Sequence, residues 1–182
     1  MSTRTLALAL LAAAALPLAQ DAAAQATPAA TAAPVSTAFK ASTKEFAKNL
    51  TAAAESMPAE KYGYKPTPAQ MSFGDVVVHL IQGNDYLCGA IAGTKAPQRS
   101  KVAATDAKDV LVARLKETFA FCDDALASLD DTKLAEQVPF FGGPRTRADV
   151  LNVTTGDFAD HYSQGAIYMR LNGLLPPTAK KP

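Results

Sequence analysis

The sequence predicts an all-α protein built as a four-helix bundle. In four segments of roughly 20 to 25 residues, apolar residues recur at spacings of three and four, as on one face of a helix. Stretches rich in proline and glycine separate these segments. We find no sustained alternation of apolar and polar residues, which is the pattern of a half-buried strand. Four such helices joined by long loops form a bundle.

The composition restricts the function further. The chain has 182 residues, of which 48% are hydrophobic and 19% are charged, and this suits one packed domain rather than a disordered chain. The 18 basic and 17 acidic residues nearly cancel. Because phosphate recognition needs a basic surplus, we expect no nucleic-acid partner. With two cysteines and two histidines, any metal site must be small and must recruit carboxylates.

Residues 1–24 have the features of a secretory signal peptide. Arg4 precedes an apolar run over 6–19, which is shorter than the about 20 residues that a membrane span requires. The small residues that follow predict cleavage before Gln25, with cleavage after Ala26 as the alternative. A buried helix rich in alanine and leucine is the competing interpretation of this segment.

The domain boundaries follow from this interpretation. Residues 25–35, rich in alanine, threonine and proline, are predicted to form a flexible linker. Residues 36–177 form the bundle and residues 178–182 a C-terminal tail. After removal of the signal peptide, we expect a soluble periplasmic or secreted protein without a membrane span.

The first helix is predicted over 36–56, and Pro58 ends it. Its apolar face consists of Phe39, Thr43, Phe46, Leu50, Ala53 and Met57. The following loop, 58–71, contains three prolines and one glycine. Tyr62 and Tyr64 are expected to pack this loop against the core.

The second helix begins after Ser72, which forms a capping box with Asp75, and extends to about Ala92. Its apolar residues are Val76, Val77, Leu80, Leu87 and Ile91. A second long connection, 93–106, follows. Asp106 is predicted to cap the third helix.

The third helix is predicted over about 107–128, with an apolar stripe of Leu111, Leu115, Phe119, Cys122 and Leu126. Residues 130–145 contain two prolines and two glycines and are predicted to form a loop. Thr146 and Asp149 repeat the capping pattern and start a fourth helix that runs to about Leu171. Gly173 and the two prolines after it end this helix.

Three ionisable residues, His79, Asp157 and His161, lie on faces that are otherwise apolar. Asp157 and His161 are one turn apart on the fourth helix. His79 lies about 9 Å from the start of its helix and His161 about 22 Å from the start of its own. If these two helices of about 30 Å run antiparallel, both histidines lie at a similar height.

Two imidazoles and a carboxylate suit Zn²⁺, or the open two-histidine, one-carboxylate geometry of Fe²⁺ and related ions. The sequence therefore predicts one divalent metal ion, with Zn, Ni, Mn and Fe left open. A structural role remains the alternative, since a buried histidine and a hydrogen-bonded Asp–His pair both occur without metals.

Cys88 and Cys122 each lie about 22 Å from the start of their helices. If the second and third helices run parallel, a disulfide is feasible, whereas an antiparallel pair separates the two heights by more than about 10 Å. The connection over 93–106 is long enough for a parallel arrangement. An oxidising compartment favours the bridge, and two buried thiols are the alternative.

The sequence resembles the DinB-like family of four-helix bundles over about residues 36–177. The stretch HYSQGAIYMRLNGLLPP at 161–177 is the most specific, and FKASTKEF and YGYKPTPAQMSFGDVVVHL are similar too. The resemblance implies an up-down-down-up bundle. It also implies a metal triad of one histidine on the second helix and a His-x-x-x-His pair on the fourth. His79 matches the first position and His161 the last, whereas Asp157 replaces the middle histidine.

The resemblance leaves two functions open. Some relatives are metal-dependent thiol transferases and others have no assigned activity. The first interpretation is a secreted metal-binding bundle with an unknown reaction and an unknown small-molecule or protein partner. The second is a non-catalytic periplasmic binding or interaction module that has lost the metal. The sequence identifies no catalytic residue, and a homodimer is compatible with either interpretation.

Overall fold

The computed structural model describes residues 33–179, and four α-helices account for most of them. They are α1 (Pro34–Ser56), α2 (Phe73–Ala92), α3 (Lys108–Leu126) and α4 (Arg147–Leu171). Single 3₁₀ turns lie at Ala59–Lys61 and Asp131–Lys133. The predicted all-α fold is confirmed. The predicted signal peptide, nearly all of the predicted linker and the last three residues lie outside the described residues.

The loop predicted over 130–145 contains a small hairpin. Strands β1 (Gln137–Val138) and β2 (Arg145–Thr146) pair antiparallel just before α4. Two residues are too few to produce an alternating pattern in the sequence, so only the turn residues between them were recognisable. Within residues 33–179, no helix is both long and apolar enough to span a membrane.

Both predicted capping boxes are present. The Ser72 hydroxyl accepts a hydrogen bond from the Asp75 backbone N–H at 3.0 Å, and the Asp75 carboxylate accepts one from the Ser72 N–H at 2.9 Å. Thr146 and Asp149 make the same reciprocal pair at the start of α4. The side-chain and backbone hydrogen bonds from Ser72 lower the pKa of Asp75. These caps satisfy backbone donors that a helix start would otherwise leave unpaired.

The starts of the other two helices differ from the prediction. Helix α1 begins at Pro34, two residues earlier than expected, since proline is well suited to the first helical position. Asp106 does not cap α3: the capping position is Ala107, which provides no side-chain hydrogen bond. The Asp106 carboxylate accepts instead from the Ala103 N–H at 2.9 Å and so stabilises the preceding turn.

Contacts between pairs of residues give the directions of the helices. Asn84 donates to Thr118 at 3.0 Å, and a disulfide joins Cys88 to Cys122 with 5.2 Å between the Cα atoms. Both partners advance by four residues, so α2 and α3 run parallel. The Tyr168 hydroxyl donates to the Met71 carbonyl at 2.9 Å, and further along α2 His79 contacts Asp157. Helices α2 and α4 therefore run antiparallel.

The core extends along the whole bundle in two contiguous groups. One surrounds Phe158, whose ring packs against Phe119 at 5.6 Å between centroids, and the other surrounds the disulfide. Tyr62 and Tyr64 hold the first loop against the bundle, as predicted. Tyr62 is buried and its hydroxyl donates to the Ala54 carbonyl at 2.7 Å, while Tyr64 packs edge-on against the Tyr168 ring.

Candidate metal centre

The structure brings together all three predicted site residues. His79 projects from α2, and Asp157 and His161 project from α4. One potential ligand atom from each residue lies within 4.8 Å of the other two. The Asp157 Oδ1 atom lies 3.3 Å from Nε2 of His161 and 3.8 Å from Nε2 of His79. Metal–ligand bonds of about 2.0–2.2 Å place ligands at most about 4.4 Å apart, so small side-chain rotations suffice to share one ion.

The site has a buried side and an open side. The side chains of His161, Asp157 and His79 are 8%, 19% and 50% exposed, respectively. Helix α4 thus forms the inner wall, and His79 lies at the surface of the groove between α2 and α4. An ion held here would remain accessible to water or to a ligand. This accessibility is typical of catalytic metal sites, which keep an open position, rather than of closed structural sites.

Two buried polar atoms of the trio have no hydrogen-bond partner among the described residues. They are Oδ2 of Asp157 and Nδ1 of His161. Leaving such an atom unpaired costs about 1–3 kcal/mol, so each one requires an explanation. Coordination of an ion by the Asp157 carboxylate would compensate for this cost. The residues therefore fit a bound cation in both donor chemistry and placement.

Asp160 is an acidic group close to the second nitrogen of His161. Its Oδ2 atom lies 3.9 Å from Nδ1, which is beyond hydrogen-bond distance, and it accepts a hydrogen bond from Gln164 at 2.7 Å. Metal-ligating histidines usually donate their other N–H to such a carboxylate. Asp160 is thus positioned to orient His161 after a modest side-chain movement.

The electrostatic environment of His161 favours a cation. Burial alone lowers the pKa of His161, but the hydrogen bond and the negative charge of Asp157 outweigh it. Gln164 and Asp160 contribute in the same direction as Asp157, and the pKa is raised above the ordinary value of 6.5. A proton and a metal ion would compete for the same nitrogen, because only the neutral imidazole is a ligand.

Gly83 is a contributor that the sequence reasoning missed. A Cβ atom at this position would lie 3.6 Å from Oδ2 of Asp157, an ordinary van der Waals distance, so Gly83 packs beside the buried carboxylate oxygen without a side chain between them. The signal was present, because Gly83 follows His79 by four residues and therefore shares its helical face.

The comparisons with known proteins identify the family. Residues 42–164 match the family model of the DinB superfamily, and the chain belongs to this family. The matched region includes His79, Asp157 and His161. No curated protein matches the chain.

Solved structures share the fold. A DinB-like protein from Bacillus cereus ATCC 10987 is 18% identical with a TM-score of 0.66, covering 78% of this chain and 95% of that one. A DinB-like protein from Bacillus subtilis is also 18% identical, with a TM-score of 0.61 and coverage of 75% and 92%. A conserved protein from Enterococcus faecalis is 16% identical, with a TM-score of 0.61 and coverage of 75% and 96%. At such identities, the likeness establishes the fold alone.

Proposed function

We propose that this DinB-like domain binds one divalent metal ion through His79, Asp157 and His161 and acts outside the cytoplasm. One observation carries the proposal. Three side chains with potential ligand atoms converge from two helices to within 4.8 Å, and the buried Oδ2 atom of the central carboxylate has no hydrogen-bond partner among the described residues. A bundle core accepts such polar groups when they are paired or bind an ion.

The donor set fits a borderline divalent ion. Two imidazole nitrogens and one carboxylate oxygen suit Zn²⁺, Ni²⁺, Mn²⁺ or Fe²⁺ better than Ca²⁺ or Mg²⁺, which prefer oxygen ligands. Three protein ligands leave at least one coordination position free. When bound, the ion would supply Lewis-acid chemistry to whatever occupies that position. The chain's own residues hold the ion and keep one side of it open through the exposed His79.

The proposed compartment is the periplasm or the extracellular space. The Cys88–Cys122 disulfide supports this, because disulfides persist in oxidising compartments and are rare in the cytosol. The signal-peptide features of residues 1–24 point in the same direction.

A metal-free binding or interaction module is the second candidate. The 3.3 Å contact between Asp157 and His161 and the raised pKa of His161 favour it, since a carboxylate and an imidazolium can satisfy each other without an ion. In this case the fold would have kept two of the trio as a structural pair, with His79 packed edge-on against His161.

Elemental analysis of the mature protein, residues 25–182, tests the two candidates. The protein would be purified from the periplasm without a histidine tag. We expect about one divalent ion per chain in the wild type and loss of that ion in His79→Ala and Asp157→Ala. Asp124→Ala removes an exposed carboxylate from α3 and should retain the full metal content.

Two outcomes would contradict the metal proposal. A wild-type protein that binds none of the four ions after incubation would support the metal-free module. Retention of metal in Asp157→Ala but not in His79→Ala would show that Asp157 is not a ligand.

A further inference from the structure

We propose that the face of α2 beyond His79 is a binding cleft for an elongated small molecule with a metal-coordinating head and a neutral apolar or aromatic tail. The head would bind the ion at His79, Asp157 and His161, so the proposal rests on the proposed function. The tail would occupy an aromatic cluster and a cavity further along the same helix.

One open face of α2 connects the two regions. His79, Gly83 and Tyr86 have the spacing i, i+4 and i+7, which places them on one side of the helix over about 10 Å. His79 is half exposed and Tyr86 is 41% exposed. Between them, Gly83 has no side chain to obstruct the path and lies beside the Asp157 carboxylate. A ligand can therefore contact both ends without displacing a side chain from α2.

An exposed aromatic cluster lies at the far end of this face. The rings of Tyr86, Phe140 and Phe141 pack at 4.3–5.8 Å between centroids. The Tyr86 hydroxyl accepts a hydrogen bond from the Phe141 backbone N–H at 2.8 Å, which fixes the hairpin tip against α2. Phe141 is nevertheless 66% exposed. Exposed, contiguous aromatic surface of this kind typically marks a binding site.

A cavity of about 320 Å³ adjoins Tyr86. Its lining is mostly apolar or small: Asp85, Tyr86, Gly89, Ala90, Gly93, Thr94, Ala96 and Pro139. Ligand pockets begin at about this volume and are predominantly apolar.

The residues that line the cavity determine which kind of ligand tail it would bind. Asp85 is the charged member of the lining: its Oδ2 atom is paired with Nε of Arg99 at 2.8 Å, and its buried Oδ1 atom has no hydrogen-bond partner among the described residues. A charged tail would lose its hydration in a cavity lining whose one charged residue, Asp85, is already ion-paired. A neutral apolar or aromatic tail gains from burial and from stacking on Tyr86.

Isothermal titration of the metal-loaded mature protein with three hydroxamates tests the cleft. Acetohydroxamate provides the head alone, ω-phenylhexanohydroxamate adds an apolar tail that reaches about 10 Å, and a hydroxamate of equal length ending in a carboxylate provides the charged control. We expect the phenyl compound to bind at least about tenfold more tightly than either of the others.

Variants of the aromatic cluster test which residues bind the phenyl tail. The affinity that the phenyl tail adds should fall at least about fivefold in Tyr86→Ala and Phe141→Ala. It should persist in Tyr86→Phe, which keeps the ring. Ile167→Ala removes a comparably exposed apolar side chain (53%) near the opposite end of α4 and should leave all three affinities unchanged. Far-UV circular dichroism would confirm that each variant folds.

The failures of the two proposals are distinguishable. If acetohydroxamate binds but the phenyl tail adds nothing, or if the gain survives in Tyr86→Ala, the cleft proposal is wrong and the metal site stands. If acetohydroxamate does not bind and elemental analysis finds no metal, both proposals are wrong.

Discussion

Asp157 is the central residue of the three candidate ligands. It contacts both histidines through Oδ1, while its Oδ2 is buried beside Gly83 without a hydrogen-bond partner among the described residues. The family resemblance implies a histidine at this position. A carboxylate there would keep a potential ligand for the proposed ion and would add a negative charge that compensates part of the charge of a divalent cation.

The substitution Asp157→Asn tests the charge separately from the shape. The amide is isosteric with the carboxylate but is a much poorer ligand for a divalent ion, so we expect the metal affinity to fall at least about tenfold. Competition with a metal-chelating dye would measure it. An Asn variant with the affinity of the wild type would show that the ion, if present, is held by the histidines alone.

Tyr62 makes the stability of the fold sensitive to alkali. Burial, with a smaller contribution from the charge of Glu55, raises the pKa of Tyr62 above its ordinary value of 10.0. The neutral form is therefore favoured in the folded state. This contribution to stability is fully present below pH 10 and is lost as the pH rises towards the raised pKa of the folded state.

Urea unfolding between pH 9 and 11.5 would measure this loss for the wild type and for Tyr62→Phe. We expect Tyr62→Phe to lose about 1 kcal/mol at neutral pH, because the hydrogen bond to the Ala54 carbonyl is removed. Its stability should decline less steeply above pH 10. Tyr168, whose pKa burial also raises, would account for a residual decline. Parallel declines in the two proteins would contradict the prediction.

At the scale of single elements, local signals predicted two of the three helix caps correctly, and the Asp106 cap predicted for α3 was wrong. The capping boxes of α2 and α4 involve residues three apart, so the sequence alone predicts them correctly. The start of α1 is different. Its first amides at Val35 and Ser36 donate to the Asp131 carboxylate at 3.0 and 2.8 Å, and no local pattern reveals a partner so distant in the chain.

In the candidate site, too, some features could be predicted from the sequence and others depend on contacts between distant residues. The heights of His79 and His161 along their helices, given an antiparallel pair, were enough to predict that the trio meets. The aromatic cluster was not predictable in this way. It depends on a hairpin that brings Phe141 back onto Tyr86, which lies 55 residues earlier in the sequence.

Ser72→Ala tests the contribution of the α2 cap. Loss of the hydroxyl leaves the Asp75 N–H without its capping acceptor, so we expect the free energy of unfolding to fall by about 1 kcal/mol. Chemical denaturation would measure the change. Asp106→Ala is the comparison, since Asp106 does not cap a helix, and it should cost less. Equal losses would indicate that the cap contributes nothing specific.

Asp131→Asn tests the remote cap of α1. The two carboxylate oxygens each accept one backbone hydrogen bond from the first turn, whereas an asparagine amide has one acceptor oxygen and can keep only one of the two bonds. We expect faster hydrogen exchange at the Val35 and Ser36 amides, with exchange in the middle of α1 unchanged. Asp124→Asn, which alters an exposed carboxylate on α3, should leave these amides as in the wild type. Unaltered exchange in Asp131→Asn would contradict the prediction.

At the scale of the whole molecule, α2 organises the fold and the proposed sites together. One side of it is joined to α3 by the disulfide and by the buried Asn84–Thr118 hydrogen bond. The side that carries His79, Gly83 and Tyr86 faces the groove towards α4 or solvent. The helix is therefore anchored on the side opposite the proposed ligand.

Removal of the disulfide in a Cys88→Ser/Cys122→Ser double variant tests this anchoring. The two cysteines are 34 residues apart, and a closed loop of that size corresponds to about 3–4 kcal/mol in the chain-entropy treatment. We expect a loss of that order in urea unfolding. Since both cysteines are fully buried, reductant should open the bridge in the wild type only when denaturant is also present. Thiol titration would show this, and rapid reduction of the native protein would contradict it.

The position of Asp131 in the chain also determines when, during synthesis, the first turn of α1 can complete its hydrogen bonds. It follows Val35 by 96 residues, and a ribosome adding about 5–20 residues per second needs about 5–20 seconds to reach it. Throughout that interval the first helix exists without the acceptor for its leading amides. The hydrogen bonds of the first turn of α1 can therefore be completed only after Asp131 has been synthesised.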